Sequence, residues 1–235
     1  MINTLRTILC TIFVLTLCSC LGVQLSKPNL MRFEEENGLL VMEAESFYKQ
    51  TKTDKRRWYL IDSPDVKPDV VRDGDPVHLE NASGGAYIEV LPDTRHNHDE
   101  KLIAGENFID KPGAMAVLHY KVKFNNPGRY YIWIRAFSSN SEDDAVHVGL
   151  DDIWPETSMR WRTLINYEWG WSRYRRYPPK VEHKGKPHLL AYIDVEKVGK
   201  RELQISMRED GFEMDKIVLT KDKSFEPKGL GPLNK

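Results

Sequence analysis

One segment of the chain concentrates aromatic and arginine side chains. Residues 154–177 hold four of the six tryptophans, three tyrosines and five arginines. Flat rings pack against the C–H face of a pyranose and lose little rotamer entropy on binding, while sugar hydroxyls need planar polar partners. These residue types predict a saccharide-binding loop. The candidate ligand-binding residues in the segment are Trp154, Trp161, Trp169, Trp171, Arg173 and Tyr174.

The arginines refine this prediction. Guanidinium groups fork onto carboxylate or sulfate oxygens, which favours a sulfated or uronic-acid polysaccharide over a neutral one. Two alternatives remain open. The rings could pack beneath their own loop as a small satellite core, with the arginines stacked on them or solvated. Nucleic acid also binds rings and arginine, but the net charge of −1 argues against a general polyanion binder.

Two acidic positions near the start of the first clear strand suggest a cation site. In Glu43-Ala44-Glu45, residues two apart on a strand would share a face. Two adjacent carboxylates repel each other unless a cation or an arginine lies between them, and a hard cation bound by oxygens would resolve the repulsion. The alternative is that both carboxylates face solvent or pair with Lys or Arg.

No catalytic motif accompanies these candidates. The chain contains no G-x-S-x-G, no HExxH and no phosphate loop. A carboxylate pair of the kind glycosidases use is not marked among the abundant acidic residues. Asp143, at the mouth of a predicted strand, could accept a sugar hydroxyl or be a solvated loop end. We therefore predict non-catalytic binding; the alternatives are a carbohydrate-active enzyme, hydrolase or lyase, and a structural or protein-interaction lipoprotein.

The N-terminal residues predict export. An apolar run from Ile8 to Leu17 follows Arg6 and is too short for a permanent membrane span, which is typical of a secretory signal over residues 1–19. The Leu17–Cys20 stretch, LCSC, resembles the bacterial lipoprotein box. That resemblance implies acylation of Cys20 and a membrane contact through the lipid anchor alone, at the outer membrane or cell surface. An ordinary signal peptide cleaved nearby is the alternative.

All three cysteines lie in this leader, so the mature chain has no disulfide and no Cys-type zinc site. A tether over residues 20–37 precedes the first strand signal. Residues 48–81 look like a long polar loop or insertion, and residues 222–235 like an irregular C-terminal tail. Between them the chain alternates apolar and polar residues in short runs bounded by turn residues.

Eight strands are predicted from this alternation, with no amphipathic helix. The turn Asn125–Gly128 is expected to close a hairpin between the strands 116–124 and 129–137. The pattern favours an all-β sandwich of jelly-roll type, with an immunoglobulin-like sandwich as the alternative. The predicted strands cover residues 38–47, 85–90, 116–124, 129–137, 145–151, 188–195, 200–207 and 212–220.

The order of several motifs resembles the galactose-binding-like jelly rolls of carbohydrate-binding module families 6 and 35. The segments are LVMEAESF, SGGAYIEV, PGRYYIWIRAF, VHVGLDD and GKRELQISMREDGFEMDKIVL, which together cover about residues 38–221. The resemblance implies a structural Ca²⁺ held by Glu43, Glu45 and Asp215, and a ligand contact from Asp210. The chain departs from the family pattern at Asp151-Asp152, where Asp-Gly is usual.

These families use either the loop end of the sandwich or a concave sheet face, so the location of the site stays open. Such a module also works beside a glycan-degrading enzyme or a transporter, which makes a neighbouring protein of that kind an expected partner.

Overall fold

The computed structural model describes residues 32–64, 76–139 and 141–233. The predicted signal peptide, the acylation site Cys20 and the tether up to residue 31 lie outside these described residues.

The described residues form strands that alternate with turns, and their two helices are single 3-10 turns at Ala44–Ser46 and Ser83–Gly85. No helix in these ranges is long and apolar enough to cross a membrane. The strands are β1 (Arg32–Glu34), β2 (Leu39–Glu43), β3 (Lys49–Thr51), β4 (Arg57–Ile61), β5 (Tyr87–Leu91), β6 (Val117–Phe124), β7 (Gly128–Phe137), β8 (Ala145–Leu150), β9 (Trp161–Arg162), β10 (Gly170–Ser172), β11 (Tyr174–Arg175), β12 (Leu189–Leu190), β13 (Tyr192–Val195), β14 (Gly199–Met207) and β15 (Glu213–Thr220).

These strands assemble into two sheets. The first sheet has the order β1-β6-β14-β8-β9-β11-β12, with β3 also paired to β6. The second has the order β10-β7-β15-β5-β4, with β13 also paired to β7 and β2 to β15. Neighbouring strands are antiparallel except β1 and β6, which are parallel. The predicted all-β sandwich of jelly-roll type is confirmed.

Strand β7 shows how the sequence fills the space between the sheets. Successive side chains of a strand point to opposite faces. Tyr130, Ile132 and Ile134 belong to the main core between the sheets. Trp133 lies on the other face, where it packs with Val41 and Val218 in a second cluster. The outer face of the second sheet is therefore also covered, and its cover includes parts of the aromatic-arginine segment and of the C-terminal tail.

The predicted hairpin between β6 and β7 is wrong. Strand β6 pairs with strands of the first sheet, and β7 pairs with strands of the second. The turn itself forms as expected, with Gly128 at φ 130°, a region that L side chains rarely adopt. This turn carries the chain from the first sheet to the second. Strands β6 and β7 then face each other across the core between the two sheets, and each buries one face in it.

Two segment boundaries also differ from expectation. The predicted tether reaches residue 37, but β1 pairs with β6 and Phe33 is buried in the main core. The predicted long loop 48–81 contains β3 and β4 among its described residues. Strand β4 pairs with β5 at the edge of the second sheet, and Trp58 on it reaches the core.

Glu35 fixes the start of the fold. Its buried carboxylate accepts backbone hydrogen bonds from Gly38, and from Asn125 and Asn126 at 2.8 Å each. Burial alone would raise the pKa of Glu35, but these bonds and one from the Asn126 amide lower it below its usual value. The carboxylate therefore joins the β1–β2 turn to the turn between the sheets.

Candidate functional site

The aromatic-arginine segment is divided between the two sheets. Its short strands β9 and β11 continue the first sheet, whereas β10 pairs with β7 in the second. The segment therefore passes over the edge of the sandwich, and its side chains face two separate depressions. We call them the aromatic groove and the basic pocket.

The aromatic groove is a depression of about 770 Å³ on the outer face of the second sheet. Four stretches distant in sequence supply its walls: the residues before the second 3-10 turn, the end of β7, the loop before β10 and the C-terminal tail. Its lining comprises Pro76, Val77, His78, Glu80, Asn81, Arg135, Phe137, Ser139, Tyr167, Glu168, Trp169, Gly229 and Leu230.

Rings form the floor of this groove. Trp169 packs edge-on against Tyr87 and Phe137, with ring centroids 5.2 and 5.7 Å apart. The indole Nε1 of Trp169 donates to the carbonyl oxygen of His78 at 2.8 Å. The His78 imidazole stacks on Phe137 with centroids 3.7 Å apart. Trp169 is therefore held rigidly, so a ligand that packs on it costs little additional side-chain entropy.

Tyr167 stands at the rim of the groove. It is 75% exposed, more than any other tyrosine, tryptophan or phenylalanine of the described residues. The backbone has φ 65°, and its N–H donates to the Ser138 carbonyl oxygen at 2.8 Å. This bond holds the loop end so that the ring projects into solvent beside Trp169. A flat, solvent-facing ring of this kind provides a platform for a sugar face.

Polar groups around these rings are suited to hydrogen bonding with hydroxyls. Glu80, Asn81 and Glu168 are exposed at the rim. Deeper in the groove, His78 Nδ1 lies 2.9 Å from Glu213 Oε1. Arg135 is held by Asp215 at 2.7 Å, and its guanidinium lies 5.4 Å from the centroid of the Trp169 ring. The groove thus combines fixed rings, acceptors and donors.

The basic pocket, about 820 Å³, lies on the other side of the same segment. Four arginines from β9, β11 and their flanking residues, together with one that follows β14, line it, and the connection 177–188 forms its outer wall. The arginines are Arg160, Arg162, Arg175, Arg176 and Arg208.

Four carboxylates compensate part of the arginine charge in this pocket, and one of them, Asp110, lies 3.5 Å from Arg208. Asp144 bonds both Arg162 and Arg176, at 2.9 and 2.6 Å. Glu156 pairs with Arg160 and lies 3.6 Å from Arg175, and Glu209 pairs with Arg208. The single aromatic-arginine site expected from the sequence is thus divided: Tyr167 and Trp169 line the groove, whereas four of the segment's five arginines line the basic pocket.

Three of the residues predicted to bind ligand are buried inside the protein and do not line a surface site. Trp161 has no exposed surface and packs edge-on against Phe212 in the main core. Asp143 is buried and accepts from Ser138 Oγ at 2.8 Å. Asp210 is buried and accepts from Arg56 and from Thr94. In each case the side chain points into the protein interior. The prediction that these three residues contact a surface ligand is therefore corrected: they pack or hydrogen-bond within the fold.

The other predicted residues lie outside the aromatic groove, except Trp169. Trp154 covers the backbone of Gly149, where a Cβ would lie 2.7 Å from the ring. Trp171 donates from Nε1 to the Gly229 carbonyl oxygen at 3.0 Å, and Arg173 donates to the Lys223 carbonyl oxygen at 2.7 Å. The C-terminal tail thus covers both side chains. Tyr174 packs against His188, 5.2 Å away between centroids.

The carboxylates predicted to hold calcium do lie in one region. Burial and the nearby charges of Glu43 and Asp215 together raise the pKa of Glu45 to about 7. One oxygen of Glu43 and one of Glu45 are buried without a hydrogen-bond partner in the part of the chain that the structure describes. Glu45, however, lies in the 3-10 turn after β2 and not on the strand as expected.

Basic side chains compete for the same carboxylates. Glu43 Oε1 lies 2.9 Å from Lys216 Nζ, and Asp215 accepts from Arg135 and from the Ser83 backbone N–H. In the ranges that the structure describes, no three His, Cys, Asp or Glu side chains converge as metal ligands. The two orphaned oxygens suit a cation, but the set is incomplete, since calcium takes six to eight oxygen ligands. Calcium binding here stays a prediction.

Sequence reasoning did not single out His78, Phe137 or Tyr167 as site residues. Tyr167 lies inside the aromatic-arginine segment, so its ring was visible in the pattern, but its exposure was not. Phe137 occupies the end of a predicted strand, and His78 lies in the stretch predicted to be a loop. Neither residue has a local pattern that marks it, because the groove is assembled from distant segments.

Comparison with known proteins adds a relative and several folds. No protein-family model matches the chain. One relative, named "Uncharacterized protein P23" in Formosa agariphila, is 52% identical over 202 residues. The match covers 85% of this chain and 48% of the relative, so the chain spans about half the length of the curated relative it matches.

Three solved structures share parts of the fold at low identity. The GH26-CBM35 β-(1,4)-mannanase of Podospora anserina has a TM-score of 0.42 at 12% identity, over 82% of this chain and 29% of the other. The exo-β-1,3-galactanase of Phanerochaete chrysosporium has a TM-score of 0.38 at 9% identity, over 79% and 30%. The C-terminal CBM6 of LamC from Zobellia galactanivorans has a TM-score of 0.36 at 13% identity, over 78% and 99%. Because all three TM-scores are low, the fold assignment rests on the strand pairing of this chain.

Proposed function

We propose that this chain binds a polysaccharide without cleaving it, and that the aromatic groove is the binding site. The observation that carries the proposal is the exposed Tyr167 ring beside the rigidly held Trp169. A sugar face packs on such rings, while Glu80, Asn81 and Glu168 accept or donate hydrogen bonds to its hydroxyls. The groove is open at the surface, which suits a site along a polymer.

The polysaccharide is an acidic one, sulfated or containing uronic acids. The support is the concentration of arginines in the basic pocket, which is built from the same segment 154–177 as the groove rim. Guanidinium groups fork onto carboxylate and sulfate oxygens, and these charge-assisted bonds are stronger than those to the hydroxyls of a neutral glucan.

The setting we propose is a membrane surface. An exported lipoprotein acylated at Cys20 would hold the domain at the outer membrane or cell surface, where a glycan-degrading enzyme or transporter could receive the bound polymer. Mass spectrometry of the membrane fraction tests the anchor: the expected result is an acylated Cys20 at the N-terminus. A soluble product with a free N-terminus elsewhere would contradict it.

Migration of the purified protein in native gels containing algal or plant polysaccharides tests the binding function. We expect Tyr167→Ala to require about ten times more polymer than the wild type for the same retardation, since a stacked ring contributes on the order of 1–2 kcal/mol. Tyr48→Ala is the matched control, because it removes an exposed tyrosine beside the first sheet. Equal retardation of all three proteins would exclude the groove as the site.

A carbohydrate-active enzyme is the second candidate, favoured by one observation. His78 Nδ1 lies 2.9 Å from Glu213 Oε1 at the base of the groove, and a carboxylate-oriented imidazole is a frequent general base. The same incubations separate the two functions. Release of new reducing or unsaturated ends, abolished in His78→Gln, would establish catalysis; retention with an unchanged polymer supports binding alone.

A further inference from the structure

The basic pocket carries a function of its own. We propose that it is an anion-binding site that takes one oxyanion substituent of an acidic glycan, either a sulfate ester or a uronate carboxylate. The site is separate from the aromatic groove, and only its assignment to a glycan rests on the proposed function.

Charge is unbalanced in this pocket. Besides the five arginines, three exposed lysines of the outer wall line it: Lys180, Lys184 and Lys186. Against these eight cations stand four carboxylates that line the pocket or pair with its arginines: Asp110, Asp144, Glu156 and Glu209. An excess of four positive charges in one concavity attracts anions, because the protein wall focuses the field.

Unpaired donors point to a bound acceptor. The Nε–H groups of Arg160, Arg175 and Arg176 are buried and have no hydrogen-bond partner among the residues that the structure describes, and Arg208 Nε has only Asp110 Oδ1 at 3.5 Å. Arg160 is only 4% exposed. A buried charged donor without an acceptor is costly, and the cost falls when an anion supplies one. Several guanidinium edges around one space match the several oxygens of a sulfate or carboxylate.

The electrostatics of the neighbouring groups agree with this geometry. Burial lowers the pKa of Arg175, and the charge of Arg160 beside it lowers it further. Burial raises the pKa of Glu209, which favours its neutral form and leaves more of the arginine charge uncompensated. A negative group in the pocket would raise the pKa of Arg175 back towards its ordinary value and would favour the neutral form of Glu209 further, so both groups accommodate an anion.

The rim of the pocket suits a sugar that carries the anion. The rings of Tyr177 and His183 are stacked with centroids 5.3 Å apart and an angle of 11° between planes. The Tyr177 hydroxyl donates to the Pro187 carbonyl oxygen at 2.8 Å and fixes the ring. A flat surface next to a cationic concavity recognises a pyranose bearing an acidic substituent.

Thermal unfolding of the full chain tests the site with inorganic sulfate and with sodium glucuronate, each against sodium chloride at equal ionic strength. We expect at least one of the two anions to raise the unfolding temperature. Arg175→Gln should then require about ten times more of that anion for the same rise in unfolding temperature. Lys200→Gln, at the far end of β14, is the control with the same change in net charge.

A second variant keeps the test valid if Arg175→Gln does not fold. Lys184→Gln combined with Lys186→Gln alters only exposed side chains of the outer wall and should weaken the same response. A wild-type response equal to that in chloride, or variants that respond like Lys200→Gln, would overturn the site. A response to sulfate alone assigns the site to sulfate esters, and a response to glucuronate alone assigns it to uronates.

Competition identifies the macromolecule. A sulfated oligosaccharide that displaces the responding anion better than its desulfated form supports the glycan assignment, whereas better displacement by single-stranded DNA overturns it. Binding of sulfate or glucuronate by a chain that retains no polysaccharide would support the anion site and contradict the proposed function. Tyr167-dependent polysaccharide retention without any response to either anion would support the proposed function and contradict the anion site.

Discussion

The ammonium nitrogen of Lys216 lies 2.9 Å from Glu43 Oε1, in the interior of the second sheet. The two residues are directly paired across β15 and β2. Asp215 precedes Lys216 at an irregularity in the pairing of β15 with β7, and it bonds Arg135. Two basic side chains thus share the charge of three carboxylates. Glu45 has no such ion pair among the described contacts, and burial and its neighbours raise its pKa to about 7.

Glu45 should make stability depend on pH. Its folded-state pKa lies above the ordinary value of 4.5, so its contribution is fully present below about pH 4.5 and is lost as the pH rises through about 7. In a chelator, Glu45→Gln should therefore be more stable than the wild type at about pH 8, by on the order of 1–2 kcal/mol given its partial exposure, and not at acidic pH. Urea unfolding at several pH values measures this. Parallel pH profiles for the two proteins would contradict the prediction.

Calcium should reverse that effect if the predicted site forms. A bound divalent cation favours the charged carboxylates, so calcium chloride should raise the unfolding temperature of the wild type relative to EDTA. The increase should be lost in Glu43→Gln and in Glu45→Gln. Differential scanning calorimetry measures it, with magnesium chloride as the ion control and exposed Glu182→Gln as the charge control. Identical melting in calcium and in EDTA would show that Lys216 and Arg135 are the cations that balance this cluster.

Substitutions of Trp161 and of Tyr167 should have different effects: the first should lower stability, and the second should weaken polysaccharide binding with little change in stability. Trp161 is a core residue, and its replacement by alanine should cost about 3–5 kcal/mol in free energy of unfolding. Tyr167→Ala should change that free energy by no more than about 0.5 kcal/mol, because the ring is solvent-exposed.

Chemical denaturation of both variants measures these values. Trp161→Phe is the control that keeps most of the packing and removes an indole N–H that has no partner. A stable Trp161→Ala protein with weakened glycan retention would restore the original assignment of Trp161 to a ligand site.

The C-terminal tail should shape the aromatic groove. The Gly229 carbonyl oxygen accepts from Trp171 and from Arg135, and Phe225 packs on the outer-face cluster. Removal of residues 225–235 should expose the Trp171 ring, shift tryptophan emission to longer wavelength and weaken polysaccharide retention, because one wall of the groove is lost.

Fluorescence and gel retardation measure both effects, with Leu233→Ser as a control at a fully exposed position of the tail. Unchanged emission would mean that the tail does not cover the rings in solution.

The sequence alone determined the positions of the main strands. Alternating runs such as Tyr120–Phe124 bury their apolar residues and leave the lysines between them at least partly exposed, and that period is local, so the eight main strands could be predicted. The density of rings and guanidinium groups in 154–177 was equally visible. The spacing of Glu43 and Glu45 was also visible, the resemblance to carbohydrate-binding modules implied that Asp215 joins them, and the structure places all three in one region.

Tertiary structure decided the rest. The turn at Gly128 has the same local chemistry whether the next strand pairs with its predecessor or crosses to the other sheet, so the pairing of β6 and β7 depended on the whole core. Trp161 and Trp169 have equal apolar character, yet one is core and the other forms a groove floor. Whether a side chain is buried depends on which other segments of the chain pack over it. The groove joins residues from four distant stretches, and no local pattern encodes such an assembly.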